Sequence, residues 1–297
     1  MAIILHHYET SPFSQMVRRA LAVKGIAWQS VIIPNMAPKP ELTPLTGGYR
    51  KTPVLQVGAD IYCDSAAAID RIEAEAGPTL FPQPLGQLAR VIGGWAGGSF
   101  FMATVGAAMG ALPEGAIPQA FWDDRKALFG LDRARLAAMN PHLRAQFAAG
   151  MAWIDATLGD GRDWLGGGAP GYADLIVHMD LAFTQRFRIA LDPNAPREAW
   201  AARVAAISET PAATISGAGA LAVARAATPV ATGSVDPASG FSAGQPVTVS
   251  TEDPGANPVA GTLLHLSTAA IVIHRDDPAV GTVAVHFPRM GQILRAA

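Results

Sequence analysis

Cysteine is almost missing from these 297 residues: Cys63 is the single instance. One thiol cannot close an internal disulfide, so a disulfide-stapled secreted scaffold is excluded and a reducing compartment is expected. Charge is scarce as well. Charged side chains make up 15% of the chain, 22 basic against 24 acidic, for a formal net charge of -2. That leaves no basic footprint of the kind nucleic-acid binding needs. A hydrophobic share of 50% argues against wholesale disorder. The opening "MAIILHHYE" lacks a cationic region and its apolar run is too short for a signal peptide. No Ala/Gly-rich stretch is expected to run far enough to span a bilayer. The expectation is a soluble, cytoplasmic protein of two or three domains.

What is present falls into three textures. Residues 1 to about 82 alternate strand and helix. "AIILHHY" reads as a buried strand, and "SQMVRRALAVKG" as a helix ending at Gly25. "AWQSVIIP" reads as a second strand, and "TPVLQVGADIYCD" as a hairpin turning at Gly58-Ala59-Asp60. "SAAAIDRIEAEAG" is another helix. A helical crossover between the first two strands implies a parallel pair. Residues from about 85 to 227 look wholly helical, with "WDDRKALFGLDRARLAAM", "LRAQFAAGMAWIDATL" and "YADLIVHMDLAFTQRF" apolar at helical spacing. "REAWAARVAAI" and "ISGAGALAVARAA" are weaker candidates. Residues 228 to 240 read as a Pro/Gly/Ser linker. Short alternating strands follow over 241–297, expected to form a small antiparallel barrel or meander.

Three short motifs in the first segment carry chemistry. In "ETSPFSQMVRRAL", Ser11 and Ser14 flank a strand-to-helix turn. Free backbone N–H groups and the helix dipole favour an anion there, and a thiolate held at such a place has a lowered pKa. Ser11 is then either a donor to a ligand thiolate or an ordinary N-cap. In "RKTPVL", Pro53 opens a strand-like run. A cis Thr52-Pro53 bond would leave Thr52 backbone groups free to pair with an extended peptide. In "YCDSAAAIDRIE", Asp64 and Ser65 start a helix. Ser65 could cap it, and Asp64 could meet a ligand ammonium. Helix capping alone also accounts for the pair. Cys63 beside them reads as a buried strand residue.

"SPFS", "KTPVL" and "DS", in that order and spacing, resemble the N-terminal, thioredoxin-like domain of the glutathione transferase family. The all-helical second segment, including "GYADLIVHMDL", is similar to that family's C-terminal domain, with Gly171 standing where the family's capping box usually has Ser or Thr and Asp174 three residues on. The resemblance implies an α/β thioredoxin-like domain, an all-α bundle, glutathione as co-substrate, no metal and a homodimer. It places Ser11 at the catalytic position, with Tyr8 as rival. It gives Thr52 and Pro53 to the cysteinyl part of glutathione, Asp64 and Ser65 to the γ-glutamyl end, and Lys51 and Lys39 to the glycyl carboxylate. Phe13 borders the glutathione site and the acceptor pocket, for which Trp95, Phe100, Phe101, Met102 and Met109 are the other candidates. The implied activity is attack of the glutathione thiolate on a small hydrophobic electrophile. The alternatives are a non-catalytic scaffold and a glutathione-dependent peroxidase or lyase.

Residues 241–297 lie outside the resemblance. Alternation turns Leu264, Leu266, Ile271, Ile273, Val283, Val285 and Phe287 inward and puts His265, His274 and His286 on the opposite face. Three histidines on adjacent strands could bind a divalent metal, but no carboxylate or cysteine is placed to help, and a solvated polar face is the expected reading. The module is expected to cover a helical surface, extend a dimer contact or bind a partner. Cutting the chain near Gly240 is expected to leave ligand binding intact.

Overall fold

The structure is a computed structural model that describes residues 2–297. The first segment forms β1 (Ile3–His7), α1 (Pro12–Val23), β2 (Trp28–Ile32), the short α2 (Thr43–Thr46), β3 (Val54–Val57), β4 (Asp60–Cys63) and α3 (Ser65–Glu73). β1 is parallel to β2 and antiparallel to β3, as the crossover argument requires. The β3–β4 hairpin turns at Gly58, whose φ of 61° suits glycine. Alternation in β1 feeds two cores. Ile3 and Leu5 pack with α1 and α3, whereas Ile4 packs on the other face of the sheet.

The helical segment comprises α4 (Leu88–Trp95), a π-turn (Ala96–Phe100), α5 (Phe101–Met109), α6 (Gln119–Phe129), α7 (Arg133–Leu158), α8 (Tyr172–Arg186) and α9 (Ala195–Ala205). Two boundaries differ from the sequence reading. The first expected helix breaks at Gly130, which takes a left-handed φ of 68°, and α7 then runs through Pro141 without ending. Contrary to expectation, Leu88–Met109 is by length and composition apolar enough to cross a membrane, but Gly98 breaks its helical geometry and half of its most apolar part is buried inside the structure. Its glycines admit neighbouring helices. A Cβ on Gly93 would sit 2.3 Å from the Tyr172 ring, and one on Gly106 would sit 2.0 Å from Leu143. The start of α8 is firmly held despite Gly171 at its cap. Asp174 accepts from Gly171 N, Leu165 N and the Trp200 indole, and burial pushes its carboxyl up.

The segment is not wholly helical. β5 (Ala213–Thr214) pairs in parallel with β2, and α10 (Gly217–Arg225) packs on the face of the sheet away from α1. β6 (Pro246–Thr251), β7 (Val259–Leu266), β8 (Ala270–Asp277) and β9 (Gly281–Pro288) then form an antiparallel meander, and β10 (Gln292–Ala296) returns beside β6.

This meander is neither a barrel nor a separate body. β9 lies parallel to β4, with Ile61 opposite Val285 and Tyr62 opposite His286. One ten-stranded sheet results, in the order β10-β6-β7-β8-β9-β4-β3-β1-β2-β5. The expected linker is strapped to it: Val230 N and Ala231 N donate to the Asp60 carboxylate at 2.8 and 3.2 Å, and Asp236 N donates to Leu266 O. A bulge between Leu263 and His265 turns Leu263 into the core in place of the expected Leu264. Ile271, Ile273, Val283, Val285 and Phe287 do face inward, sharing one core with Ile4, Val54, Ile61 and Cys63.

A shared core predicts shared stability. Phe287 is 1% exposed and its ring meets Tyr49 edge-on at 6.1 Å. Phe287→Ala is expected to cost about 3–5 kcal/mol, read by urea unfolding of the full chain. A chain stopped after Gly240 is expected to lose cooperative unfolding, and a native-like melting transition in that truncation would refute the shared core.

Candidate functional site

The register brings the three motifs to one end of the sheet. His6 at the end of β1 lies opposite Val54, and Val54 lies opposite Cys63 at the end of β4. Ser11 follows β1, Thr52-Pro53 precedes β3, and Asp64-Ser65 follows β4. The N-termini of α1 and α3 therefore open at that same end, with their unpaired backbone N–H groups and positive dipole ends.

Ser11 is buried and caps α1, its Oγ accepting from Ser14 N at 3.2 Å. Capping uses a lone pair and leaves the hydroxyl proton free to donate, so the two readings of this serine are compatible. Tyr8 lies at the turn, its carbonyl accepting from Ser11 N. The Thr52-Pro53 bond is cis, and the β3 ladder begins only at Val54, outside Thr52.

Asp64, not Ser65, is the cap of α3. Its φ of 87° turns the chain sharply, Oδ1 accepts from Ala66 N at 2.9 Å, and Oδ2 accepts from the Tyr49 hydroxyl at 3.2 Å. Ser65 is the first helical residue. Burial, reinforced by Asp64, pushes the Tyr49 phenol well above its ordinary value, so it stays a donor. Cys63 is fully buried, and burial pushes its thiol well up, which makes it an inert core residue.

The two lysines are already engaged. Lys39 Nζ donates to Thr52 Oγ1 at 2.7 Å and to Arg50 O at 3.1 Å. Burial and the nearby Arg125 lower its pKa to about 8. Lys51 Nζ lies 2.6 Å from Asp253 Oδ2, in the turn between β6 and β7. That oxygen lacks hydrogen-bond geometry, so the contact is a charge pair.

The aromatic candidates divide. Phe13 meets Phe101 edge-on at 4.9 Å, and Phe183 joins Phe101 at 6.0 Å. Phe13 also lies 3.4 Å from the position of a Cβ on Gly97. Trp95 and Phe100 instead stack on each other at 4.3 Å, and Phe100 stacks on the buried Phe147. Met102 is exposed, and Met109 packs with Trp122 and Leu136 in a cluster that Phe101 and Phe183 border. A cavity of about 350 Å³ lies along α6 and the start of α7, lined by Trp122, Lys126 and Asp132; among the candidates Met109 packs against its lining, through Trp122. The tail histidines do not gather either. His286 bonds Asp60 at 2.8 Å and His265 accepts from Ser234 N, and among the described residues no group of three His, Cys, Asp or Glu could hold a metal.

Several residues at this end of the sheet were missed by motif reading. Arg18 and Arg19, both buried, converge on Glu209 at 2.6 and 2.9 Å. Arginine can only donate, so its contacts fix His7 and His178 with Nδ1 as acceptor. Tyr49, Asp124 and Asp253 were missed for the same reason: their partners are distant in sequence. Burial lowers His6 to about 4, and burial together with the Arg18 charge lowers His7 to about 4, from 6.5. Between those limits the unfolded chain binds protons that the native state refuses. Stability is thus expected in full above about pH 6.5 and to fall as pH drops toward about 4, by on the order of 3 kcal/mol per histidine. Urea unfolding across that range checks it.

The pattern described as glutathione S-transferase, N-terminal domain, matches residues 5–80. A GST-like protein from Pseudomonas syringae aligns over 100% of this chain and 99% of its own, at 33% identity and a TM-score of 0.81. A theta class glutathione S-transferase from Xanthomonas axonopodis pv. citri, solved with glutathione bound, covers 70% of this chain and 94% of its own, at 21% identity and a TM-score of 0.53. Beta-etherase LigF from Sphingobium sp. strain SYK-6 covers 70% of this chain and 97% of its own, at 16% identity and a TM-score of 0.52. The last two share the fold over that part only. No curated protein matches.

Proposed function

Starting from a chain that belongs to the glutathione S-transferase family, we propose that it binds glutathione at the shared end of β1, β3 and β4 and activates its thiol for attack on a small hydrophobic electrophile. One observation carries this reading: two helix N-termini and a cis Thr52-Pro53 turn meet at that end. In it, the Thr52 backbone pairs with the cysteinyl peptide group. Asp64 and the N–H groups of α3 take the ammonium and carboxylate of the γ-glutamyl end. The thiolate lies before α1, where the dipole and the Ser11 hydroxyl stabilise its charge and raise its fraction near neutral pH. Sulfur then forms a bond to the electrophilic carbon as the leaving group departs with the bonding pair. Holding both reactants together supplies much of the rate.

The Phe13–Phe101–Phe183 group is the apolar wall we assign to the acceptor. Trp95 and Phe100 act behind it as packing of the helical segment. A homodimer in the cytoplasm completes the proposal. Leu88, Val91 and Trp153 expose apolar surface that a second copy would cover, and light scattering would show the doubled mass.

Calorimetry tests the site. Glutathione is expected to bind the parent at micromolar to millimolar affinity and Asp64→Ala about tenfold more weakly, since the change removes both a ligand partner and a helix cap. Ser11→Ala is expected to lower turnover of an activated aromatic halide about 100-fold at saturating glutathione, with stability down by about 1 kcal/mol from the lost cap. Binding without turnover across a broad electrophile panel would point to a scaffold instead.

A further inference from the structure

Two consecutive cations, Arg50 and Lys51, stand directly before the cis Thr52-Pro53 turn. Each is met by a carboxylate from a different part of the chain. Arg50 pairs with Asp124 of α6 at 2.5 Å, and Lys51 pairs with Asp253 of the β6–β7 turn at 2.6 Å. Phe129 at the end of α6 lies under Lys51, its ring centroid 5.9 Å from Nζ. Lys39, the remaining lysine at this place, already directs two N–H donors to Thr52 Oγ1 and Arg50 O.

Asp253 does not reach Lys51 by chance of a mobile side chain. Its turn is seated on the C-terminal end of α6 by backbone contact. Gly255 N donates to Leu128 O at 3.1 Å, and a Cβ on Gly255 would fall 1.8 Å from Ala127 O. Ala256 N closes the turn on Asp253 O at 3.1 Å. On the other side, Arg275 of β8 donates to Pro44 O, and its side chain fills the space a Cβ on Gly47 would need. The C-terminal strands thus brace both the loop that carries Lys51 and the turn that carries its partner.

We propose that Asp253 is a specificity-determining residue of the thiol site. Its carboxylate takes the place at Lys51 that the glycyl carboxylate of glutathione would otherwise take. The proposal rests on the glutathione-site reading above and deepens it. The favoured ligand class is a γ-glutamyl thiol whose far end is uncharged at Lys51, such as a glycyl ester, an amide or a dipeptide lacking glycine. A ligand carboxylate brought to Lys51 must either share the ammonium with Asp253, carboxylate against carboxylate, or displace it and leave that acid without its partner. The ion pair is partly exposed, with side-chain accessibilities of 32% and 20%, so its effect on affinity is modest and weakens in salt.

Calorimetry with the full chain tests this, with glutathione and its glycyl monoethyl ester as probes. The ester differs at the one carboxylate in question. The parent is expected to bind the two within about two-fold of each other. Asp253→Asn is expected to bind glutathione about five-fold or more tightly than the parent does, and the ester within about two-fold of it. The gain is expected to vanish in the Lys51→Gln/Asp253→Asn double variant. Asp253→Ser serves as a second variant should the amide perturb the turn. A parent that already favours glutathione over the ester by about five-fold, with the same ratio in Asp253→Asn, would overturn the proposal. So would a gain that survives loss of Lys51, which would mean a loosened turn and not a freed lysine. Failure of both probes to bind any of these proteins would overturn the site reading itself, and the inference with it.

Discussion

The pairing of β9 with β4 governs this molecule, because it moves a strand that would end one sheet into the middle of another. An edge strand leaves a row of N–H and C=O groups unpaired. Here β9 takes those of β4, and Ala284 N reaches past it to Ala59 O. Asp60 sits at the seam with an almost fully buried side chain, accepting from His286, Val230 N and Ala231 N. Burial alone would raise its pKa, yet those donors together hold it below its ordinary value. The carboxylate is charged, and three donors from two other stretches of chain share that charge. His286 also stacks on Tyr62 at 4.2 Å. Side-chain packing, a side-chain hydrogen bond and a backbone ladder all cross the same seam.

Because of that seam, the far face of the first sheet is not a surface. Ile4, Val54 and Ile61 share their core with β6–β9 and with α10. The loop from α2 to Lys51 lies beneath the added strands, with Leu42, Leu45 and Tyr49 buried in that core. Tyr49 in turn holds Asp64. A residue buried in that core and the residue proposed to meet the ligand ammonium are thereby joined by one hydrogen bond. The Pseudomonas syringae protein aligns through these strands, whereas the Xanthomonas and Sphingobium proteins align over about 70% of the chain.

A second set of charges, two buried arginines and a partly exposed glutamate, ties the helical segment to the first one. Glu209, past the end of α9, receives Arg18 and Arg19 from α1, and those arginines contact His7 and His178 on either side. Buried charges are tolerated when paired and hydrogen-bonded; both guanidinium groups are paired with Glu209 in the middle of α1, although the buried Arg19 Nε has no partner. These pairs tether the middle of α1 to the end of the helical segment.

Local features were legible in the sequence. The Ser11 cap, the helix of "SQMVRRALAVKG", the hairpin at Gly58 and the buried alternation of β8 and β9 each depend on a few neighbouring residues, and each is found where the residues put it. Asp64 in place of Ser65 as the cap is a one-residue error, of the size local patterns permit. Whatever depends on partners far along the chain was not legible. Periodicity says that a strand has a buried face but not which strand lies beside it, so a meander that extends the first sheet reads the same as a free module. Likewise, Lys51 is one cation among several in sequence, and only the packing of the Gly255 turn against α6 gives it Asp253 as a partner. The sequence by itself determined the elements and the kinds of chemical group at the site. Tertiary structure decided which charges remain free to meet a ligand, because pairing across such separations is set by the packing of the whole chain.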